Sequence, residues 1–384
     1  MDGASSHSSR EVSENNKFSS FSPPLAPFGI TRAGDLTDLD VIGIPVWFAV
    51  RPNSRTLSLS QGKGLTHEQA RISAIMESVE GAVAEQTSQL VAEFGTPAEM
   101  TSRGKKLVPL DRLDRCDYAA FDPTCQRAWV RGQCYGTGEP IFAPYELIGL
   151  DMRVEFPWDY DVFSVGSSGL AAGPNFYFAA LAALLELVER DATFAVEQDG
   201  FQPNNSRLIR WQRGCHAGLD EAVDKVRLAG LEPSFFEIPN RFGLPVVAAV
   251  IARPILHVQG AGERLSGGYA CRMTIGEATL AALLEAAQSR LTNIAGSRDD
   301  LAETEYEEAG ATLPSSASEA IPLAVCTAQC TSESGMSVAE KLDFVAECLG
   351  SAGCADVYFF DLPGPVKGVH VVRALVPRLR VFGH

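Results

Sequence analysis

The chain has 384 residues, 46% of them hydrophobic and 8% aromatic, with 32 Lys and Arg against 48 Asp and Glu for a formal net charge of −16. Length and composition are those of a globular protein able to bury a large core, as one elaborate domain or two. The negative charge excludes polyanionic partners, nucleic acid and anionic membrane alike, but not a small anion held by a few local cations or by a metal ion.

Residues 1–24 are rich in Ser, Asn and Glu, with few large apolar groups, and are expected to be disordered. No basic region followed by an apolar stretch marks a secretion signal, so the expected compartment is the cytoplasm, with the nine cysteines as reduced thiols. Cys326-x-x-x-Cys330 approaches metal-ligand spacing, yet no paired Cys or His cluster follows at zinc-site distance. A buried strand is predicted at Val41 to Val50. Gly62-Lys63-Gly64 then reads either as a plain turn or as an anion site ahead of a helix N-terminus. It is not a Walker A loop, because Leu57 replaces the first glycine and Gly64 follows the lysine. Thr66 and Gln69 form a capping-box signature that opens the first long helix.

Ala128 to Leu147 reads as a hairpin with Gly136-Thr137-Gly138 in its turn. The small-residue segment Gly166 to Gly173 leads into a second helix. Its apolar run, Phe176 to Leu185, is too short to span a bilayer. A helix end at Val223 to Leu228 and strands at Phe235 to Ile238 and Pro245 to Ala252 follow. Gly260 to Gly268 is read as a glycine-rich connection into a third helix, capped by Thr274 and Glu277. Ser297 to Ala324 turns acidic and Ser/Ala-rich and is expected to form an exposed excursion. A helix at Val338 to Leu349 and strands at Val357 to Asp361 and Val369 to Val376 close the chain. Strands and helices mix without strict βαβ alternation, so the predicted fold is mixed α/β (α+β), its sheet mixed or antiparallel.

The three long helices share one pattern, Ala-x-x-(Ser/Ala)-Ala-x-x-Glu-x-x-(Glu/Gln). Its copies are Ala70, Ser73, Ala74, Glu77 and Glu80; Ala179, Ala182, Ala183, Glu186 and Glu189; and Ala278, Ala281, Ala282, Glu285 and Gln288. The first four positions fall at i, i+3, i+4 and i+7, one helix face that is small and apolar until it ends in a carboxylate. Three such faces converging would gather Glu77, Glu80, Glu186, Glu189 and Glu285. So many acids cannot all stay ionised in a partly dry cleft unless cations neutralise them. Oxygen-rich cages suit Mg²⁺, which arrives with phosphorylated substrates, so the pattern points to an ATP-using enzyme. A lone Glu-x-x-Glu is usually a solvated face, but the second helix is apolar nearly all round, so Glu186 and Glu189 need a cation or several donors. Arg190 is one candidate, through a structural salt bridge or through a site. Arg290, beyond Glu285 and Gln288, is either a clamp for a transferring phosphoryl group or a surface arginine; spacing leaves both open. The six histidines offer no partner for Cys/His nucleophilic catalysis.

These residues resemble the YcaO family. The family's Ser-Ala-x-x-Glu-x-x-Glu is Ser73, Ala74, Glu77 and Glu80. Its Ser-Asn-Gly-x-Ala-x-Gly segment followed by Glu-x-x-Glu-Arg-Asp is similar to Ser167, Ser168, Gly169, Ala171 and Gly173, then Glu186, Glu189, Arg190 and Asp191. Its Glu-x-x-Gln-x-Arg is Glu285, Gln288 and Arg290. The resemblance runs from about Leu39 to the C-terminus and implies a YcaO-type ATP-binding fold over residues 25–384. It implies Mg²⁺ on Glu77, Glu80, Glu186, Glu189 and Glu285, and ATP on Lys63, Ser73, Ser167, Ser168, Gly169, Gln288 and Arg290. Arg290, Glu189 and Arg190 are the catalytic candidates. The implied chemistry is phosphorylation of a peptide amide oxygen, so that oxygen departs as phosphate; an internal Cys, Ser or Thr gives an azoline, an external sulfide a thioamide.

The segments RLTNIAGSRDDL (Arg290 to Leu301) and VVRALVP resemble the subgroup that works with a TfuA-type protein. The expected partners are therefore a ribosomally made precursor peptide and a TfuA-like protein, and the expected assembly is a homodimer. Three positions depart from the family pattern. Gly81 replaces the Arg that follows the first Glu-x-x-Glu, Ser168 replaces Asn, and Arg378 to His384 lacks the Pro-x-Pro-x-Pro tail of azoline formers. The absent tail favours thioamidation over cyclodehydration. The Gly81 change keeps open a non-catalytic ATP-binding accessory, which the intact Glu285, Gln288 and Arg290 disfavour.

Overall fold

The computed structural model describes residues 23–153, 158–252, 265–296, 320–323 and 335–381. Strand β10 (Val246–Ala252) shows how its sequence builds layers. Successive side chains of a strand point to opposite faces. Val246, Ala248 and Val250 enter one core, and Val247, Ala249 and Ile251 enter another. Both faces are covered, which explains the unbroken apolar run.

Among the described residues the strands form three sheets. A three-stranded sheet has the order β1 (Arg32–Asp35), β2 (Val46–Val50), β3 (Leu59–Lys63). A six-stranded sheet comprises β4 (Val91–Gly95), β5 (Arg127–Cys134), β6 (Pro140–Pro144), β7 (Leu170–Gly173), β13 (Tyr358–Leu362) and β14 (His370–Leu375). Its order is β4-β5-β13-β14-β7, with β6 on β5. A five-stranded sheet has the order β11-β10-β9-β8-β12, from β8 (Arg207–Arg210), β9 (Glu232–Glu237), β10, β11 (Ser266–Cys271) and β12 (Ile321–Pro322). All the strand pairs are antiparallel except β12 with β8. The mixed α/β expectation holds.

Among the described residues five helices of a dozen residues or more pack against these sheets: α1 (His67–Ala84), α2 (Phe176–Asp199), α3 (Ala217–Leu228), α4 (Ile275–Ala295) and α5 (Val338–Ser351). Helix α1 shares a core with the three- and six-stranded sheets. Helices α2 and α5 fill the space between the six- and five-stranded sheets, and α3 and α4 cover the far face of the latter. The predicted caps form, since Thr66 Oγ1 accepts the Gln69 N–H and Thr274 Oγ1 the Glu277 N–H, each at 3.2 Å. Gln69 completes no box, because its Oε1 accepts from the Leu65 N–H instead. Asn175 caps α2 through Oδ1 and the Phe178 N–H at 3.0 Å.

Four expectations are corrected. The strand predicted at Val41 to Val50 begins only at Val46, because Gly43 has φ +70° and Pro45 has no N–H to pair. Gly62-Lys63 is neither a turn nor a helix-terminal anion loop but the end of β3. Glycine is needed there for close packing: a Cβ at Gly62 would lie 2.0 Å from the Ala74 nitrogen of α1. The glycine-rich connection is a strand from Ser266 onward, and a Cβ at Gly268 would lie 2.4 Å from the Ala286 nitrogen of α4. The end of the acidic stretch is not exposed, since Ile321 and Pro322 pair with β8 and Leu323 is buried. The N-terminal segment up to residue 22, expected to be disordered, together with residues 260–264, the rest of that stretch and Cys326 and Cys330, lies outside the described residues. No helix among the described residues is long and apolar enough to cross a membrane.

Candidate active site

Each sheet ends in a strand that feeds a motif helix: β3 into α1, β7 into α2, β11 into α4. An edge strand leaves a row of backbone groups unpaired and must be covered. Here each edge is met by the motif helix of the preceding unit. Glu80 of α1 accepts the Ala172 N–H of β7 at 2.8 Å. Glu189 of α2 accepts the Cys271 N–H of β11 at 3.2 Å. Glu285 of α4 closes the ring on β3, taking the Lys63 ammonium at 3.2 Å. The three units thus form a cycle, and the motif carboxylates are the joints. Glu186 adds a fourth anchor, accepting the Gly169 N–H at 3.2 Å.

The structure brings Glu77, Glu80, Glu186, Glu189 and Glu285 within one another's electrostatic reach. Burial, then repulsion from Glu77 and Glu186, pushes Glu80 well above the usual carboxylate range against the Ala172 N–H and Arg373. Burial also raises Glu186, with Arg190, Arg373 and the Gly169 N–H opposing and Glu285 adding to it. Glu189 is pushed up to about 8 by burial and by Glu285 and Glu186. Burial alone would lower Arg190, but Glu186, Glu189 and Glu285 outweigh it and hold the guanidinium firmly charged. Arg190 thus lies within electrostatic reach of the carboxylate cluster.

Among the described residues no three acidic, His or Cys side chains converge tightly enough to hold a metal ion as they stand. The donor set nonetheless suits Mg²⁺. Glu80, Glu186 and Glu189 each spend one oxygen on a backbone N–H, and their second oxygens are not sealed in the interior. Hard oxygen donors that repel one another fit a divalent cation. Gln288, which occupies the position equivalent to Glu80 and Glu189, has a buried Oε1 with no hydrogen-bond partner among the described residues, as a side chain that contacts a bound group would. Ser73 and Ser168 are half-buried and Ser167 is exposed. Arg290 stands apart: its Nε donates to Asp40 Oδ1 and Oδ2 at 3.1 and 2.9 Å.

Sequence reasoning missed three groups. Arg373 of β14 is fully buried beneath the cluster. It donates Nε to Ile148 O at 3.1 Å and Nη1 to Ser168 O at 2.9 Å, which fixes the Ser-Ser-Gly turn. Burial pulls it down to about 10 while Glu186 and Glu80 oppose that pull. Its position in VVRALVP was the available signal. Arg51 is the second group. A Cβ at Gly81 would lie 2.7 Å from Arg51 Nη2, so a guanidinium does fill the space next to the glycine that replaces the family arginine. It arrives from the end of β2 and is committed to Glu85 at 2.6 Å. Asp40, which grips Arg290, is the third.

Comparison with known proteins bears on family and fold. A family profile described as YcaO cyclodehydratase, ATP- and Mg²⁺-binding, matches residues 61–380. A protein encoded in the tfuA 3′ region of Rhizobium leguminosarum bv. trifolii is 35% identical over 390 residues, covering 99% of this chain and 90% of its own. The structure of YcaO from Methanopyrus kandleri bound with AMPPCP and Mg²⁺ superposes with a TM-score of 0.68 at 21% identity, over 96% of this chain and 90% of that one. A heterocyclase in complex with substrate and cofactor superposes with a TM-score of 0.67 at 18% identity, over 91% of this chain and 50% of the other.

Proposed function

This chain belongs to the YcaO family, with ATP and Mg²⁺ as its cofactors, and on that premise we propose that it activates a backbone amide of a ribosomally made peptide for thioamidation, together with a TfuA-like partner. The observation that carries the reading is the ring of half-buried carboxylates Glu80, Glu186 and Glu189, each with one oxygen fixed on a backbone N–H, for Glu80 and Glu189 that of a neighbouring unit, and one left over. Glu77, Glu80, Glu186, Glu189 and Glu285 would hold Mg²⁺; Lys63, Ser73, Ser167, Ser168, Gly169, Gln288 and Arg290 would hold the nucleotide. When bound, Mg²⁺·ATP supplies the phosphoryl group that lets an amide oxygen leave as phosphate. The chain's own part is orientation and charge. Arg190 neutralises the cluster from within α2, and Arg373 fixes the turn that presents Ser167 and Ser168. Lys63, whose ammonium donates to Glu285 at 3.2 Å, stands beside the carboxylates that would hold Mg²⁺ and would be within reach of a phosphate oxygen there.

Thioamidation is favoured by the relative encoded beside tfuA. Azoline formation is the second reading, favoured by the fold likeness to heterocyclases. Co-expression with a TfuA-like protein and a precursor peptide separates them by mass spectrometry. A peptide made heavier by exchange of oxygen for sulfur supports thioamidation. One made lighter by a water, without partner or sulfide, places the chain among azoline formers. An unmodified peptide in every combination contradicts both.

A further inference from the structure

Asp40 lies ahead of the segment that the family profile matches, in a loop whose polarity is inverted. Its neighbours Leu39 and Val41 are 56% and 70% exposed, while its own side chain is 3% exposed. Hydrophobic burial alone would turn the two apolar side chains inward and the acid outward. The loop holds the opposite arrangement with its own polar bonds. Asp35 Oδ1 accepts the Thr37 N–H at 2.9 Å, and Thr37 Oγ1 accepts the Val46 N–H at 3.2 Å. What the inversion achieves is a grip on one edge of one guanidinium, since both Asp40 oxygens take the Nε–H of Arg290. The two Nη groups of Arg290 have no partner among the described residues and are not sealed in the interior.

A guanidinium is a planar fork, and holding its Nε edge fixes the plane and direction of the outer pair of donors. We propose that Asp40 is a positioning residue that locks Arg290 so that both Nη groups face a phosphate of the nucleotide as a preformed two-pronged donor. The proposal rests on the reading of Arg290 as a nucleotide contact. Immobilising a long side chain before binding removes an entropic cost equivalent to about tenfold in affinity.

The test is a double-mutant cycle on the full chain, with AMPPCP and Mg²⁺ binding followed by calorimetry and folding by thermal melting. Asp40→Ala is expected to weaken AMPPCP binding about tenfold, and Arg290→Ala to weaken it at least as much. Asp40→Ala added to Arg290→Ala should cost nothing further. Asp40→Asn, which keeps the shape and one acceptor, should show a smaller loss that also vanishes in the Arg290→Ala background, and it carries the cycle if Asp40→Ala does not fold. Additive losses overturn the proposal, as does a lowered melting temperature with unchanged nucleotide affinity, which marks a purely structural ion pair. Arg290→Ala with wild-type affinity overturns it too, while leaving the proposed function standing. Wild-type protein that binds no AMPPCP with Mg²⁺ overturns the proposed function itself.

Discussion

Gly81→Arg restores the residue that the family pattern carries after the first Glu-x-x-Glu, and the structure predicts that the restoration fails. Gly81 sits in α1 one turn before Glu85, and Arg51 packs its Nη2 onto the bare helix surface there. Arg51 is 5% exposed, gives Nη1 to Glu85 at 2.6 Å, and gives Nη2 to Ser54 Oγ at 2.8 Å. Gly81→Ala meets only the far end of that side chain. Alanine gains about 1 kcal/mol over glycine inside a helix, set against about 1–3 kcal/mol for overpacking, so the net loss is at most about 2 kcal/mol. Gly81→Arg instead drives a second guanidinium against the first and breaks a buried ion pair, at about 3–5 kcal/mol. Domains are stable by only about 5–15 kcal/mol, so the loss is a large fraction of the total and the unfolding midpoint should fall markedly. Residues 81 and 85 are i, i+4 neighbours. In Arg51→Ala/Gly81→Arg the new guanidinium can therefore take over Glu85, and most of the loss should be recovered. Urea unfolding followed by circular dichroism measures wild type, Gly81→Ala, Gly81→Arg, Arg51→Ala and the double variant. A Gly81→Arg midpoint equal to wild type, or a double variant less stable than both singles, refutes the reasoning.

The remaining predictions concern the carboxylate ring and its buried cation. Glu80, Glu186 and Glu189 have folded pKa values above the ordinary 4.5, about 8 for Glu189. An acid raised on folding holds its proton longer in the folded state, so its stabilisation is complete below about pH 4.5 and is lost as pH rises through the folded value. Metal-free protein should thus melt at progressively lower temperature between about pH 5 and 8, and Glu189→Gln should flatten that slope; a slope of the opposite sign contradicts the burial of the cluster. Glu186→Gln should abolish ATP turnover with circular dichroism unchanged, because the Gly169 N–H still finds an oxygen while the charge is gone; retained turnover removes Glu186 from the site. Arg373→Met should cost about 3–5 kcal/mol in urea unfolding by stripping Glu80 and Glu186 of their buried counter-charge, and a loss below about 1 kcal/mol, the scale of an exposed pair, would show that Arg373 does not support the ring.

The three helices were legible because each carries local signals that do not depend on the rest of the fold: a small-residue face and a carboxylate at fixed helical spacing, with a Thr cap ahead of the first and the third. The hairpin was legible for the same reason, with two apolar runs around a glycine-rich turn. What sequence could not show is how the units meet. Ala172 and Cys271 offer only a backbone N–H, which any residue but proline has, and nothing in their side chains marks them as partners of Glu80 and Glu189. Arg290 and Asp40 are 250 residues apart, and Asp40 hides among apolar neighbours that read as strand. Gly62 looks like a turn residue until α1 is laid across it, when its missing side chain proves to be the reason for its presence.

The central claim is that this chain directs phosphoryl transfer from ATP to a peptide carbonyl oxygen, and an isotope label follows that oxygen. A precursor peptide carrying ¹⁸O at the modified carbonyl is incubated with the protein, a TfuA-like protein, ATP, Mg²⁺ and a sulfide source, and the released phosphate is analysed by mass spectrometry. The account predicts that the phosphate carries one ¹⁸O for each amide modified. Unlabelled phosphate alongside a modified peptide would contradict it, because the oxygen would then have left by another route and ATP would have served some step other than amide activation.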